Sequence, residues 1–403
     1  MDQVDTTGSG SDSSDSCDST LAVHAGETHG EWRHALTVPI AQTSTYVFED
    51  SEAVNDFVSG TRTQIDYGRY GNPTQHAAER KLAALEGAEA GLLFASGMAA
   101  VTTTLLGMLS SGHHAVIADD CYRKTAQFCQ MVLKKFGVET TFVRAGDYEG
   151  MAAAVKANTR VIVAESPTNP HLNVMDLERV VAIAREKQLK VVIDSTFATP
   201  FNQRPLEFGV DLVIHSATKY LGGHNDLIAG AVLGPAPLVS AIADYRGVLG
   251  GIVDPHCAYL LIRGLKTFPL RMAQQNRTAL ALAQFLEGHP KVQRVYYPGL
   301  ESHPHHKVAA RQMKGFGGLV SFDLDGDRDQ TLGFLDRLQI PVIGASLGGV
   351  ESIVSHPASI SYYELSPEDR EAVGITDNLV RYAVGVEETD HLLNDLKQSL
   401  DQM

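Results

Sequence analysis

Seven short apolar segments alternate with segments of helical periodicity between residues 91 and 234, and this alternation constrains the fold more than any other feature of the chain. Each apolar segment has the length of a single β-strand, and the intervening stretch 177–187 has its apolar residues at helical spacing. Strands that alternate with helices predict a mostly parallel sheet covered by helices on both faces. We therefore predict an α/β fold with a mostly parallel seven-stranded sheet. The segments are GLLFAS (91–96), HAVIAD (114–119), VETTFV (138–143), RVIVAE (160–165), KVVIDS (190–195), DLVIHS (211–216) and AGAVLG (229–234).

A smaller second unit follows the alternating region. A long helical stretch leads away from the predicted sheet and contains Pro269, which should interrupt it because proline lacks the amide donor. Beyond it, two strand-like and two helix-like segments predict a smaller C-terminal α+β domain. The strand-like segments are 318–324 and 379–385, and the helix-like segments lie near 328–338 and 387–401.

The 403 residues are enough for two domains, and we divide the chain into four parts. Residues 1–19 are rich in Ser and Asp and are predicted to form a disordered tail. Residues 20–70 fit neither domain and are predicted to be an extended arm that contacts a neighbouring subunit. The large domain would span 71–265 and the C-terminal domain 266–403.

Charge and composition limit the classes of partner. The net charge of -15 argues against a nucleic-acid-binding surface, and no apolar run approaches the about 20 residues of a membrane span. The first residues lack the basic start and apolar stretch of a secretory signal. Cys17, Cys121, Cys129 and Cys257 form no CxxC pair, which favours reduced thiols. We expect a cytoplasmic protein that binds neither nucleic acid nor membranes.

Polar residues follow three of the predicted strands. Ser96-Gly97 lies where a strand ends and a helix begins, which suits either a plain turn or a phosphate site at the helix N-terminus. Asp194 follows three apolar residues and is either a helix cap or the partner of a buried cation. Lys219 follows another strand, among hydroxyls and glycines. It is either a surface lysine or an amine in a desolvated pocket, where it loses its proton more readily.

These three positions can meet at one edge of the sheet, where α/β proteins bind ligands. Asp194 and Lys219 are 219 − 194 = 25 residues apart, one strand–helix–strand step. A phosphate-binding helix start, a buried carboxylate and a strand-end lysine are the contacts that pyridoxal 5'-phosphate (PLP) needs. No GxxxxGK[ST] sequence is present, so a P-loop is excluded. The pattern therefore predicts PLP as the cofactor.

Several longer motifs make this prediction specific. The segments HSATKYLGGHNDLIAGAV, YGRYGNPT, ESPTNP, IDSTFATP and SLGGVESIVSHPA resemble those of the Cys/Met-metabolism family of PLP-dependent enzymes. The resemblance extends from about residue 20 to the C-terminus and implies the PLP-dependent transferase fold type I. Within the family, DYGRYGNPT, DDCYRKT, GFGGLVSFDLDGD and DNLVRYAVGVEE are most similar to the cystathionine γ-synthase branch, particularly its plant-type members.

The resemblance assigns cofactor contacts by position. Lys219 would hold PLP covalently and then shuttle protons, and Asp194 would pair with the pyridine N–H. Tyr122 would stack on the ring and assist proton transfer. The remaining implied contacts are Ser216, Thr218 and the backbone at Gly97 and Met98 for the phosphate, and Asn169 near the ring oxygen and the substrate.

The resemblance also implies substrate contacts and a shared site. Arg381 would clamp the substrate α-carboxylate, a task that suits a bidentate guanidinium, and Ser346 would help at that end and position the lysine. Tyr67 and Arg69 would reach the phosphate in a neighbouring subunit, and Asp66 would contact a distal amino group of the substrate, which Tyr67 would also line. The site would need at least a dimer, and the family is usually a homotetramer, a dimer of site-sharing dimers.

The implied reaction is replacement at Cγ of an activated homoserine, O-acyl- or O-phosphohomoserine, by L-cysteine to give L-cystathionine. Alternatives are a cystathionine or methionine γ-lyase, an O-acylhomoserine sulfhydrylase and a γ-substitution with another nucleophile. A non-catalytic scaffold is disfavoured because the lysine, the aspartate and the arginine are all present.

One departure keeps the alternatives open. Relatives commonly have an arginine four or five residues after the stacking tyrosine, where this chain has Ala126 and Gln127, and Arg123 and Lys124 are the available substitutes.

The segment HPHH (303–306) is the one pattern that suggests a metal. It has no matching carboxylates or cysteines nearby in the sequence, so a solvated loop explains it better. We predict no metal site.

Overall fold

The computed structural model describes residues 19–32 and 34–403 and contains the seven-stranded sheet that the sequence predicts. The strand order is β1-β7-β6-β5-β4-β2-β3, in which β7 runs antiparallel to both of its neighbours and the other pairs are parallel. The predicted α/β class is therefore confirmed. The strands are β1 (Ala90–Phe94), β2 (His114–Ala118), β3 (Glu139–Val143), β4 (Thr159–Glu165), β5 (Lys190–Asp194), β6 (Leu212–His215) and β7 (Gly230–Gly234).

Helices cover both faces of this sheet, which is why its strands read as continuous apolar runs. The helices are α1 (Ser19–His24), α2 (Ser51–Ser59), α3 (Pro73–Glu86), α4 (Gly97–Met108), α5 (Arg123–Gln127), α6 (Tyr148–Ala153), α7 (Leu177–Glu186), α8 (Thr199–Asn202), α9 (Ala236–Leu249) and α10 (Pro255–Lys266). A π-helical stretch, Phe128–Leu133, follows α5, and 3-10 turns span His29–Trp32 and Pro205–Phe208.

Each face of the sheet belongs to a different apolar core, because successive strand residues point to opposite faces. Val163, Val192 and Ile214 pack with residues of α4 and α9. The alternate residues Ile162, Val191 and Val213 pack with residues of α3, α7 and α10. The face toward α4 is the one that bears the candidate site.

The C-terminal domain is a second, five-stranded sheet with the order β10-β11-β12-β9-β8. Its strands are β8 (Val292–Tyr296), β9 (Leu319–Leu324), β10 (Val342–Ile343), β11 (Ile353–Ser355) and β12 (Leu379–Ala383). Its helices are α11 (Phe268–Glu287), α12 (His306–Gln312), α13 (Arg328–Arg337), α14 (Pro357–Ile360), α15 (Pro367–Ala372) and α16 (Thr389–Leu400). The long helical stretch breaks at Thr267, and Pro269 lies in the first turn of α11, where its missing N–H has no helical partner to lose.

The N-terminal segment, for which we predict an extended arm that contacts a neighbouring subunit, also packs on its own chain. Its first helix, α1, packs against α3 and α10 of the same chain. The buried Lys81 Nζ lies 3.1 Å from Glu27 Oε1 and donates to the carbonyls of Ala22 and Val23, which fastens this segment to the large domain. The predicted tail up to residue 18, with Cys17, lies outside the described residues.

Cys121, Cys129 and Cys257 are free thiols. No helix within the described ranges is long and apolar enough to cross a membrane.

Candidate active site

Three neighbouring strands of the large sheet end at polar residues that face α4. Glu165 and Asp194 are partners in the register of β4 and β5, and Asp194 is the partner of Ile214 on β6. Ser216 lies two residues beyond Ile214 and so continues the same face. Residues that are paired across parallel strands point to one side, so the side chains of Glu165, Asp194 and Ser216 converge at the carboxyl edge of the sheet.

The start of α4 closes against this edge. Ser96 caps the helix by accepting from the Ala99 amide at 3.0 Å, and the amides of Gly97 and Met98 are in the first turn, where no helical acceptor exists. A Cβ atom on Gly97 would lie only 2.9 Å from Ser216 Cβ, so glycine is required here by close approach. The junction therefore has the free amides and the open backbone that a phosphate group needs.

A cavity of about 370 Å³ opens at this point and gathers most of the site residues that the sequence predicts. It is lined by Gly97, Met98, Tyr122, Asn169, Asp194, Ser216, Thr218, Lys219, Ser346 and Arg381. Large and C-terminal domains both contribute to its wall.

Lys219 points into the cavity, not to the surface. Its Nζ donates to Ser346 Oγ at 2.7 Å. Burial and, to a smaller extent, the nearby positive charge of Arg381 lower the pKa of Lys219 to about 8. About a tenth of this amine is thus unprotonated at pH 7 and about half at pH 8, which favours a nucleophilic lysine.

Arg381 is a buried cation on β12 and is only 6% exposed. Its Nη1 donates to Asn169 Oδ1 at 3.1 Å and its Nη2 to the Ser346 carbonyl at 3.0 Å, while Nε has no partner. Among the described residues no carboxylate forms an ion pair with it, and burial lowers its pKa. A buried guanidinium with an unpaired N–H is costly unless an anion joins it, so this geometry fits a substrate carboxylate.

Ser346 connects these two cations through an unusual backbone conformation. Its φ is 106°, a region that a residue with a side chain adopts at a cost of about 1–3 kcal/mol. In this conformation its hydroxyl contacts Lys219 and its carbonyl contacts Arg381. Nothing in the sequence pattern itself indicates the strained backbone.

Asp194 lies partly buried beneath the cavity and is not a helix cap, because α8 begins only at Thr199. Its Oδ1 accepts from the Thr196 amide at 3.0 Å and from the Thr196 hydroxyl at 2.5 Å. No described residue donates to its other oxygen. Burial raises its pKa and the bonds from Thr196 lower it. A carboxylate held this way can pair with a protonated ring nitrogen.

Thr218 lies at the cavity, but its hydroxyl is already used. It donates to the Ala229 carbonyl at 3.1 Å and accepts from the Ala229 amide at 3.0 Å, which ties the lysine segment to the chain just before β7. The hydroxyl of Ser216 has no such bond, so among the two predicted hydroxyl ligands it is the freer one.

Tyr122 stands at the rim, 45% exposed, directly before α5. Its amide donates to Glu165 Oε2 at 2.7 Å. Glu165 and Thr196 also line the cavity, although no motif in the sequence indicated them. A charged residue that ends the apolar run RVIVAE was the available signal for Glu165.

Asp66, Tyr67 and Arg69 are not brought to this cavity by their own chain. Tyr67 and Arg69 line a separate depression with residues 42–44 and 252–255, and the Arg69 guanidinium lies 5.3 Å from the Tyr67 ring centroid. Asp66 Oδ1 accepts from the Tyr67 amide at 2.7 Å. Any contact of these residues with a cofactor would therefore be made in another subunit.

The substitutes for the missing distal arginine are only partly available. Arg123 donates to the Ser361 carbonyl at 2.8 Å and forms an ion pair with Glu364, so it is engaged with a loop of the C-terminal domain. Lys124 is exposed and donates to Gln127 Oε1 at 3.0 Å. Ala126 packs against the apolar core.

The histidines of the HPHH segment contact the backbone. His305 Nδ1 accepts from the Val174 amide at 3.3 Å, and His306 Nδ1 lies 2.8 Å from the Pro298 carbonyl. Within the described ranges no cluster of His, Cys, Asp or Glu is arranged to hold a metal ion.

Comparisons with known proteins agree on one family. Residues 19–401 match the family model described as Cys/Met metabolism PLP-dependent enzyme. Cystathionine gamma-synthase 1, chloroplastic, from Nicotiana tabacum is 50% identical over 96% of this chain and 72% of its own length. L-methionine gamma-lyase from Fusobacterium nucleatum is 42% identical over 95% of this chain and 98% of its own. The crystal structure of metB from Corynebacterium glutamicum matches with a TM-score of 0.89 at 37% identity, covering 95% and 97% of the two chains.

Proposed function

We propose that this chain, which belongs to the Cys/Met metabolism family of PLP-dependent enzymes, replaces the γ-substituent of an activated homoserine with L-cysteine and so forms L-cystathionine. The observation that carries the proposal is the cavity in which the Lys219 amine and the Arg381 guanidinium meet at Ser346. The similarity of the chain to plant cystathionine gamma-synthases supports the choice of reaction.

The residues present fit the cofactor. Gly97, Met98 and Ser216 would hold its phosphate, because free amides and an unbonded hydroxyl meet where only glycine fits. Asp194 would hold the pyridine nitrogen, and Lys219 would hold the aldehyde carbon. When bound, PLP supplies an electron sink that makes the α- and β-protons of an attached amino acid removable.

The substrate would be oriented by its α-carboxylate. Arg381 binds the α-carboxylate, and Asn169 keeps the guanidinium in place through its 3.1 Å bond. Tyr122 covers the open side of the pocket and limits access of water. Once released from the cofactor, the amine of Lys219 removes the proton from Cα and returns protons where the reaction needs them.

Replacement at Cγ then requires that a leaving group departs and a thiolate arrives. Loss of a second proton from Cβ permits the Cγ–O bond to break and the carboxylate or phosphate ion to leave. The thiolate of cysteine then bonds to Cγ, and protons return to Cβ and Cα. If water prevails, the products are 2-oxobutanoate and ammonia, the outcome of a γ-lyase. The 42% identity to an L-methionine gamma-lyase and the absence of the distal arginine at Ala126 and Gln127 make γ-elimination the second candidate. Use of sulfide, as by an O-acylhomoserine sulfhydrylase, or of another nucleophile is a variant of the same chemistry.

The active site would be shared between subunits of a homo-oligomer, in which Tyr67 and Arg69 reach the neighbouring phosphate and Asp66 a distal amino group. Support comes from their exposure away from the chain's own cavity. A homotetramer built from such dimers and a cytoplasmic location belong to the same proposal.

A substrate panel tests the reaction. The purified protein is offered O-succinyl-, O-acetyl- and O-phosphohomoserine, each with and without cysteine, and separately cystathionine and methionine. Cystathionine formation that depends on cysteine is the expected result. Release of 2-oxobutanoate from cystathionine alone, or of methanethiol from methionine, would replace the synthase with a lyase.

A further inference from the structure

Two carboxyl side chains lie side by side under the cavity. Glu165 and Asp194 are register partners on adjacent parallel strands, so their backbones are about 4.8 Å apart and their side chains point the same way. Both line the cavity, and Glu165 is 5% exposed. Two carboxylates in such proximity, one of them buried and the other partly buried, do not both stay ionised, because each charge opposes the other.

The hydrogen bonds around the pair are unequal. Asp194 accepts two bonds from Thr196, one from the amide and one from the hydroxyl. Glu165 accepts one, from the Tyr122 amide at 2.7 Å. Donors stabilise the ionised form, so the better-supplied Asp194 keeps the negative charge.

The other charged and titratable groups near the pair reinforce this difference. His215, at the end of β6, favours the ionised form of Asp194. Three further titratable groups interact with Glu165: Asp120 and Cys121, before α5, and Tyr362, from the C-terminal domain. Each is anionic or neutral, so none of them is a counter-ion for Glu165. Burial raises the pKa of Glu165 well above its ordinary value, and Asp194 adds to that rise.

We propose that Glu165 is a positioning residue that is held as the neutral acid, fixes the backbone at Tyr122, and leaves the single negative charge of the pair on Asp194. The inference concerns the PLP pocket assigned above and does not depend on which nucleophile the enzyme uses. As a consequence, Glu165 determines both the negative charge of Asp194, which would face the ring nitrogen, and the position of Tyr122.

The first test uses the apoprotein, so it is independent of catalysis. Glu165→Gln keeps an acceptor for the Tyr122 amide and removes the ionisable group. Urea unfolding at fixed protein concentration is followed from about pH 5 to pH 8. In the unfolded chain Glu165 releases a proton that it retains in the folded chain. Wild type should therefore lose stability relative to Glu165→Gln as pH rises. Its unfolding equilibrium constant should increase relative to that of the variant by up to about tenfold per pH unit.

Glu79→Gln is the matched control. Glu79 is also buried in the large domain, but its Oε1 pairs with Arg246 Nη1 at 3.0 Å and accepts from the Leu93 amide at 2.9 Å, so its charge is satisfied. This control should be destabilised throughout the range, because removing the charge leaves Arg246 unpaired. If Glu165→Gln is destabilised throughout the pH range as Glu79→Gln is, or if its stability relative to wild type does not increase with pH, Glu165 is an anion and the proposal is overturned.

Infrared spectroscopy of the apoprotein at about pH 8 observes the proton directly, because exposed carboxyls are ionised there. The carbonyl band of a protonated carboxyl group should weaken in Glu165→Gln and persist in Glu79→Gln. An unchanged band in Glu165→Gln contradicts the neutral acid.

The positioning role is read from the visible circular dichroism of bound PLP, which reports the asymmetry of its surroundings. Glu165→Ala releases the Tyr122 amide and should reduce this signal at least twofold, whereas Glu165→Gln should retain it. Equal loss in both variants would show that a neutral acceptor at this position is insufficient.

Discussion

Lys219 and Arg381 are two basic residues that line one cavity, and both contact Ser346. The charge of Arg381 and the burial of Lys219 both favour the free amine. A bound carboxylate would neutralise Arg381 and thereby remove one of these two influences. The proton affinity of the lysine should therefore rise when the substrate carboxylate binds, at the stage when the amine has to accept a proton.

We predict that Lys219 of the apoprotein titrates near pH 8. In the folded chain its pKa is lowered to about 8, so between that value and the ordinary lysine pKa the unfolded chain binds more protons, and stability rises with pH. The unfolding midpoint of wild type should thus increase relative to Lys219→Met across this range. Reductive trapping of a small aldehyde on Lys219, quantified by mass spectrometry, should reach half of its maximum near pH 8. A midpoint near the ordinary lysine pKa would contradict the desolvated pocket.

A second residue-scale prediction concerns Arg381. Arg381→Ala should raise KM and lower kcat/KM, because a partly desolvated charge contact with the substrate is lost. The decrease in kcat/KM should correspond to about 2–5 kcal/mol of lost transition-state stabilisation. Arg381→Lys should recover little, since one ammonium cannot bond the Asn169 amide, the Ser346 carbonyl and a carboxylate in the same planar geometry. Arg160→Ala, at an exposed position, is the control. An unchanged KM in Arg381→Ala would remove this residue from the substrate site.

At the level of elements, the junction of β1 and α4 depends on the absence of a side chain. Gly97→Ala would place a Cβ 2.9 Å from Ser216 Cβ, and the shift that relieves this contact should cost about 1–3 kcal/mol, expressed mainly as weaker PLP binding. Titration of PLP into apoprotein measures it, with urea unfolding as the check on the fold. Gly288→Ala, whose Cβ would approach no atom closer than 3.9 Å, is the control. Equal PLP affinities in the two variants would exclude a close phosphate at Gly97.

The large sheet was predictable from sequence because its strands are buried on both faces and so are continuously apolar. Three strands of the second sheet were missed for physical reasons. In β8 only Val295 is buried, and β10 is two exposed residues long, so neither shows a strand pattern. β11 has three residues, which is too short for periodicity to register.

The site was predictable only in part, for reasons that also lie in its elements. Asp194 and Lys219 stand out because polar residues follow apolar runs. Ser346 and Arg381 come from the other domain, and only the family resemblance indicated them. The pairing of Glu165 with Asp194 depends on strand register, which a sequence does not display.

At the scale of the whole molecule, one chain does not present all of the proposed cofactor contacts to its own cavity. Tyr67 and Arg69 are exposed and face a different depression. A site completed across a subunit boundary makes catalysis depend on assembly, and dilution should then lower specific activity.

Complementation tests this dependence. Co-expressed Lys219→Ala and Arg69→Ala chains should form mixed dimers in which one of the two sites has both native residues. Random mixing then gives roughly a quarter of wild-type specific activity from two inactive parents. Co-expression of Lys219→Ala with Lys219→Met is the control, since no mixed dimer of these restores the lysine. No recovery in the test pair would place Arg69 and Lys219 in the same subunit or remove Arg69 from the site.

The residues around the cavity are also far apart in time during synthesis. Gly97 and Arg381 are 381 − 97 = 284 residues apart, so Arg381 is synthesised well after Gly97. Because domains tend to fold in order as they leave the ribosome, the segments with Gly97 and Lys219 should fold while the segment with Arg381 is still being translated. We expect a growing chain to be able to capture its cofactor before it can recognise any amino acid.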